Sequence, residues 1–551
     1  MKVKAKRVIL VSAILAVGFL GIRAVAPGDN FFEVSKNLEI FATLYKELNI
    51  YYVDETQPGD LMKTGIDAML ESLDPYTNYI TESNIEDYRF MTTGQYGGIG
   101  SLIRSIDGDV YISEPYENSP AQKSGLRAGD KILMIDGTDI RDKDQEEISS
   151  LLKGQSGTGL KVTYERFGIV NEVELTREEI KIPDVPYYGM LNDEVGYISL
   201  NSFTQTASKE VRDAFIELRD KQGMKKLIFD LRGNGGGLLR EAINIVNFFV
   251  PKGQEVVRTK GKISEWDRTH IALNEPLDME MPLVILVDQG SASASEIVSG
   301  SIQDLDRGVV VGNTTFGKGL VQQTKDLQYN SKLKLTVAKY YIPSGRCIQK
   351  LDYSHKTADG KVEEVPDSLL KKFETKSGRA VMDGRGIEPD VKVENGEIPH
   401  VVISLLTENL FFKYANDYAK DRETIADAAS FDLSDDDYSE FVKFLEGKNY
   451  SYTTDTEKEF EKLVAVAKDE KYYGVTEEAF KQMEAAISSK KNNDLEIFKE
   501  DIEPILENEI VSRYFYQKGR IQNSLAEDSV IDSALTLLSN NDKYRQILTP
   551  Q

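Results

Sequence analysis

Apolar and polar positions change period along the chain, and the changes mark out its elements. Between residues 30 and 92, Leu38, Ile40, Phe41, Leu44, Tyr45 and Leu48 recur near a 3.6-residue period. Pro58-Gly59 interrupts the pattern, and it resumes from Leu61 to Leu73, which predicts two helices. The turn Tyr96-Gly97-Gly98-Ile99-Gly100 opens a stretch over 93–178 with short alternating strands at Val110–Ser113, Lys131–Ile135 and Leu160–Tyr164 and helices near Ala121 and Glu146. This predicts a compact β-rich module. From 179 to 395 strands alternate with helices: strand Val195–Leu200, helix 208–221, strand Lys226–Asp230, helix 238–249, strand Leu283–Val287, helix 294–305. Such alternation predicts an α/β core. The stretch 396–551 reads as helical again, without a repeat. The expectation is a multidomain α/β chain with helical regions at both ends.

The start of the chain has another character. Lys2, Lys4, Lys6 and Arg7 precede an apolar run of 15 residues, Val8 to Ile22, followed by Arg23 and Ala24-Val25-Ala26-Pro27. Residues 1–26 are expected to be a signal peptide or a signal anchor, because basic residues before a short apolar run direct export. The run is shorter than the roughly 20 residues that span a bilayer. Pro27 after the small-residue triplet is a poor cleavage context, so cleavage and retention both stay open. No Cys follows the run, as a lipoprotein would need. An exported chain of this kind is expected in the periplasm or at the periplasmic face of the inner membrane.

Composition narrows the chemistry. The 551 residues carry 67 Lys+Arg against 91 Asp+Glu, a net charge of −24, and roughly half of that excess lies past residue 400. Such a chain repels phosphate backbones and shows no basic stripe, which argues against a nucleic-acid partner. With one Cys, Cys347, and three scattered His, at 270, 355 and 400, it has no zinc-ligand spacing and no histidine in a Gly/Ser-rich motif for a Ser-His-Asp triad.

Three segments could carry chemistry. Leu283–Val287, then Asp288-Gln289-Gly290-Ser291-Ala292-Ser293-Ala294-Ser295-Glu296, reads as a buried strand, a small-residue turn and a helix start. A serine at a helix N-terminus is where backbone N–H groups and the helix dipole stabilise an alkoxide or oxyanion; Ser293-x-x-Glu296 is equally a capping box. A hydroxyl without a histidine needs another base, and Lys318 in Thr315-Phe316-Gly317-Lys318-Gly319 is the candidate, provided that burial away from carboxylates weakens its hold on its proton. Gly312 to Lys318 also imitates a phosphate-binding loop, but Gly319 stands where that motif needs Ser or Thr, and a strand follows instead of a helix. An exposed, structural lysine is the third reading. Finally, Asp230-Leu231-Arg232-Gly233-Asn234-Gly235-Gly236-Gly237 ends a strand in glycines whose bare amides suit an oxyanion, a phosphate or a plain turn.

Together these segments resemble the carboxy-terminal processing peptidases, tail-specific serine proteases of peptidase family S41 with a Ser/Lys dyad and an embedded PDZ domain. The resemblance runs from about residue 35 to 395. It rests on Leu73-Asp74-Pro75-Tyr76, Tyr96 to Gly100, Ser119-Pro120-Ala121, Gly125-Leu126, Ala128-Gly129-Asp130, Gly196-Tyr197-Ile198, Ser202-Phe203, the Asp230 glycine turn, Gly290 to Glu296, Phe316 to Gly319, Tyr341 to Gly345 and Gly386 to Asp390. It implies a crotonase/ClpP-like α/β protease core with an inserted PDZ domain. It also implies Ser293 as nucleophile, Lys318 as base, and Gln322 supporting the lysine amine. Oxyanion donors would be Ala294 and Gly236, with Gly235 in reserve. The turn Gly98, Ile99, Gly100 would take the carboxylate of a substrate's free C-terminus. Many relatives carry an activating arginine where this chain has Lys153, which cannot make a bidentate contact. No metal or cofactor is implied. The partners implied are protein or peptide substrates with free C-termini, and a homodimer or an adaptor held by the helical ends. The rival readings are a catalytically silent PDZ scaffold or chaperone and an exported hydrolase of small esters.

Overall fold

A computed structural model describes residues 31–549 apart from 358, 395 and 492. The segment read as a signal peptide or anchor lies outside the described residues. The chain divides into two compact units, one up to Tyr79 and one from Ile80 on.

The first unit holds the helices Phe31–Tyr51 and Pro58–Glu71. Pro58 sits in the first turn of the second helix, where its fixed φ and missing N–H cost nothing. Asp74 accepts from the Tyr76 and Thr77 amides at 2.8 and 2.9 Å, closing a turn after that helix. The apolar stripe that predicted the first helix is not spent on a core: none of its residues is buried.

In the second unit the β-rich module is an antiparallel sheet in the order Ser101–Ile106, Asp109–Pro115, Lys131–Ile135, Gly159–Arg166, Ile169–Thr176. Sequence patterning missed the first and last of these strands, each of which buries a single residue, Ile106 and Leu175. The helix Gln145–Leu152 begins with a capping box, the Glu147 amide on Asp144 Oδ1 at 2.8 Å and the Asp144 amide on Glu147 Oε2 at 3.1 Å. It drops Ile148 and Leu152 into a core with Ile99, Ile112, Ile132 and Val162. Gln95–Gly98 pairs with Glu178–Lys181, so the two ends of the module leave side by side.

The α/β core is a six-stranded sheet in the order Tyr187–Met190, Val195–Ser199, Lys226–Asp230, Leu283–Val287, Val309–Gly312, Val391–Lys392. The first pair is antiparallel and the rest are parallel. Parallel strands need both faces covered, hence their unbroken apolar runs. One face packs on the helices Ala207–Gln222, Leu239–Asn247 and Ala294–Asp304 through Phe215, Ile245 and Val298. The other face is covered from the far end of the chain: Val530, Ile531, Leu537 and Leu538 of the helix Ser529–Ser539 lie on Val195, Ile228, Val284 and Leu286. The Tyr544 hydroxyl meets the Leu283 amide and carbonyl at 2.9 and 3.0 Å. Between core sheet and C-terminus, residues 400–524 form a helical bundle with its own core, including Val402, Leu405, Phe411, Phe441, Leu506 and Ile510.

Candidate active site

The strand Leu283–Val287 ends in a turn held by the Asp288 carboxylate and by the backbone of Asn234. Asp288 Oδ1 accepts from the amides of Gly290 and Ser291 at 2.9 and 3.0 Å and from the Gly233 amide at 2.8 Å, so the serine turn and the glycine turn share one carboxylate. Asn234, wholly buried, accepts from the Ala292 amide and the Ser295 hydroxyl on its backbone oxygen, at 3.0 and 2.8 Å. Gly236 then lies so close to the serine turn that a Cβ on it would stand 2.8 Å from the Ala294 nitrogen and 2.9 Å from Ser293 Cβ, at φ +98°. Only glycine fits there.

Ser293 itself has φ 56° and ψ −108°, a conformation that costs a side-chain-bearing residue about 1–3 kcal/mol. It is half-buried immediately before the helix Ala294–Asp304. The Ala294 amide has no acceptor among the described residues, as the first turn of a helix leaves it.

The lysine turn is bound to this arrangement through Glu296, which is completely buried. Its Oε2 accepts from the amides of Ser293 at 2.8 Å and Lys318 at 2.9 Å, and its Oε1 from the Gly317 amide at 2.7 Å and the Thr315 hydroxyl at 2.6 Å. Burial pushes its pKa up to about 7 against the pull of these four donors. On the carbonyl side, the buried Tyr340 hydroxyl lies 2.6 Å from the Lys318 oxygen and 3.1 Å from that of Ser293. Burial and the nearby Glu296 hold that phenol well above its ordinary pKa, so it remains a donor. Two buried side chains thus tie the backbones of Ser293 and Lys318 together, although 25 positions separate them in sequence.

Ser293, Ala294, Gly235, Gly236, Lys318 and Gln322 line one cleft of about 680 Å³. Gln322 follows a break in register between Leu320–Asp326 and Lys332–Tyr341, and its amide donates to Thr336 Oγ1 at 3.2 Å; such an irregularity re-aims a strand side chain. The Gly236 amide donates to Asn234 Oδ1 at 2.9 Å. The other expected residues sit in the β-rich module, apart from Ser293 and Lys318. Gly98, Ile99 and Gly100 are buried beside the edge strand Ser101–Ile106. Gly100, at φ +72°, would put a Cβ 2.4 Å from that of Ser119. Lys153, exposed at the end of the helix Gln145–Leu152, reaches Asp87 at 3.2 Å and the face of Tyr96 at 5.9 Å. Asp87 belongs to the helix Ile85–Thr93, whose Tyr88, Phe90 and Met91 line the cleft.

Residues that sequence reading did not assign are Tyr340, Thr315, Asn234 and, from past residue 400, Gln517 and Asp528. Gln517 lines the cleft, and Asp528 pairs with Arg232 at 2.7 Å beside the glycine turn. Glu296 was visible only as a cap. No periodicity or spacing links these positions; their partners are distant in sequence.

Fold and site define a class: an α/β core with a strained serine turn and an inserted β-rich module. Residues 194–355 match the model "Peptidase family S41", residues 111–166 "PDZ domain", and residues 401–538 "Probable PDZ-protease, C-terminal helical domain". The chain is 35% identical over 344 residues to a "Probable CtpA-like serine protease" of Staphylococcus aureus (strain COL), covering 62% of this chain and 68% of that protein. It is 34% identical over 355 residues to the "Carboxy-terminal-processing protease" of Bartonella bacilliformis, covering 63% and 80%. Among solved structures it is similar to a "photosystem II D1 C-terminal processing protease", at 28% identity, TM-score 0.35 and 65% and 93% coverage. The chain belongs to peptidase family S41, among the carboxy-terminal-processing proteases.

Proposed function

We propose that this chain is an exported serine endopeptidase that holds unstructured C-terminal tails in its PDZ module and cleaves polypeptide with Ser293 and Lys318. The observation that carries this reading is the single carboxylate of Glu296 joining the Ser293 and Lys318 backbones at the floor of one cleft. The Lys318 amine takes the Ser293 hydroxyl proton as Oγ attacks the peptide carbonyl. The Ala294 amide and an amide of the glycine turn receive the oxyanion. Gly235 serves as the turn's donor, or Gly236 once its amide leaves Asn234. Collapse breaks the C–N bond, the leaving amine takes the proton from Lys318, and water then hydrolyses the acyl-enzyme with Lys318 again as base. Gln322 steadies the lysine.

Tail capture has a physical basis in the edge strand Ser101–Ile106, which pairs on one side with Asp109–Pro115 and leaves its other edge for an added strand next to the helix Gln145–Leu152. Gly98, Ile99 and Gly100 would bind the terminal carboxylate. Export and action at the cell envelope rest on the basic and apolar pattern of residues 2–23. The exposed apolar helix Phe31–Tyr51 is read as a self-association surface; a sedimentation mass of one chain at micromolar concentration would count against it.

The deciding experiment is cleavage of an unfolded polypeptide with an apolar free C-terminus by the full chain, Ser293→Ala and Lys318→Ala. We expect kcat to fall by at least about a thousandfold in each variant with melting temperature unchanged. Activity surviving Ser293→Ala would mean another nucleophile. An inert wild type that still binds the tail would favour a silent scaffold.

A further inference from the structure

The long C-terminal helix Lys499–Ser524 is broken inside: Tyr516 has φ 54° and ψ −159°, a region that only glycine visits readily. A bulky residue stays there only when its surroundings over-determine it, and the surroundings come from two directions. From the PDZ module, Glu114 at the end of the strand Asp109–Pro115 is buried and pairs with Arg520 at 3.0 Å. Arg520 lies on the helix past the break, about one turn beyond Gln517. Beside Glu114 the buried Arg513 is fixed by Glu509 at 3.0 Å, the Phe412 carbonyl at 3.2 Å and Asn416 at 2.8 Å. Burial raises the Glu114 pKa, and Arg520 and Arg513 oppose that rise.

On the other side of the break lies the active-site cleft. Gln517 lines it together with Ser293, Lys318, Asn201 and Gly235, and it also lines the adjoining depression around Arg232 and Gly233. A primary amide offers one acceptor and two donors. That set suits the repeating C=O and N–H of an extended chain and is indifferent to side chains, as a protease for varied tails requires.

We propose that Gln517 is a substrate-binding residue for the main chain of the polypeptide in the cleft, delivered by the Tyr516 break, and that Glu114 of the PDZ module is the positioning residue that keeps it there. The inference rests on the cleft being the peptidase site. It makes the PDZ module and the C-terminal domain joint owners of one substrate contact: displacement of the module takes Glu114 from the break and Gln517 from the substrate.

The test uses the full chain and an unfolded polypeptide with an apolar free C-terminus. Loss of one or two hydrogen bonds in Gln517→Ala is expected to raise KM about three- to tenfold with kcat within about twofold of wild type. Glu114→Ala should raise KM likewise, and Glu114→Gln, which keeps an acceptor for Arg520, should recover most of the effect. Tyr516→Gly should keep the wild-type KM, because glycine adopts the broken conformation without strain. An unchanged KM in Gln517→Ala overturns the inference. So does a Glu114→Ala that loses kcat and melting temperature together with no change in KM, or that Gln fails to rescue. Binding of the same polypeptide to Ser293→Ala, with and without Gln517→Ala, separates this from the chemistry. A Kd weakened by Gln517→Ala beside a wild-type chain that never cleaves leaves the inference standing and sinks the proposed mechanism; intact wild-type cleavage with unmoved Kd and KM does the reverse.

Discussion

Glu296 shows what a single residue does here. As an ionised carboxylate it can accept from Ser293, Gly317, Lys318 and Thr315 at once; once protonated, its own hydroxyl competes with one of those donors. With its pKa pushed up to about 7, the site should assemble as pH rises through that value, so kcat/KM should show a limb near pH 7. The stability contribution has the opposite sign. The folded group binds its proton more tightly than the ordinary value of 4.5, so between about 4.5 and 7 the native state holds the extra proton and stability falls as pH rises. Opposite slopes of kcat/KM and melting temperature over this window would identify the group; parallel slopes would exclude it. Glu296→Gln keeps the shape but turns one acceptor into a donor facing donors, and kcat should fall by at least about tenfold. The S-x-x-E spacing was legible in sequence as a cap, and the cap is the smaller part of its work. The other three partners lie 19 to 22 positions further on and meet it only in the fold.

At the scale of elements, strand-turn-helix alternation placed the serine and glycine turns correctly at the ends of parallel strands, because apolar runs and glycines are local signals. The edge strands of the PDZ sheet escaped, since half-exposed strands such as Ile169–Thr176 have weak alternation. Elements also communicate in ways that spacing does not reveal. Lys153 joins the PDZ helix to Asp87 on a helix that lines the cleft. The pair is exposed and is worth under about 1 kcal/mol, so Lys153→Ala should leave the melting temperature nearly unchanged. If it relays tail capture, that variant should lower cleavage of a polypeptide with a free C-terminus more than cleavage of the same polypeptide with the terminus amidated. Equal losses on the two substrates would limit Lys153 to a surface contact.

For the whole molecule, the C-terminal region is structural to the protease core. Leu537, almost fully buried, packs on the sheet face opposite the helices Ala207–Gln222, Leu239–Asn247 and Ala294–Asp304, and Leu537→Ala should cost about 2–5 kcal/mol, read as a lower melting temperature. Tyr544→Phe strips the Leu283 amide and carbonyl of their partner inside that core and should cost about 1–3 kcal/mol with Ser293 and Lys318 untouched, read as a lower melting temperature at unchanged kcat. Sequence by itself determined the α/β alternation, the PDZ-like module, the candidate serine, lysine and glycine turns and the helical character of the end, because each is written in neighbouring residues. Only the tertiary structure decided that residues past 500 cover the sheet, that Glu296 and Tyr340 join two distant turns, and that Gln517 reaches the cleft. The physical reason is that burial and hydrogen-bond satisfaction are properties of surfaces brought together from distant parts of the chain, and no local period records which surface will meet which.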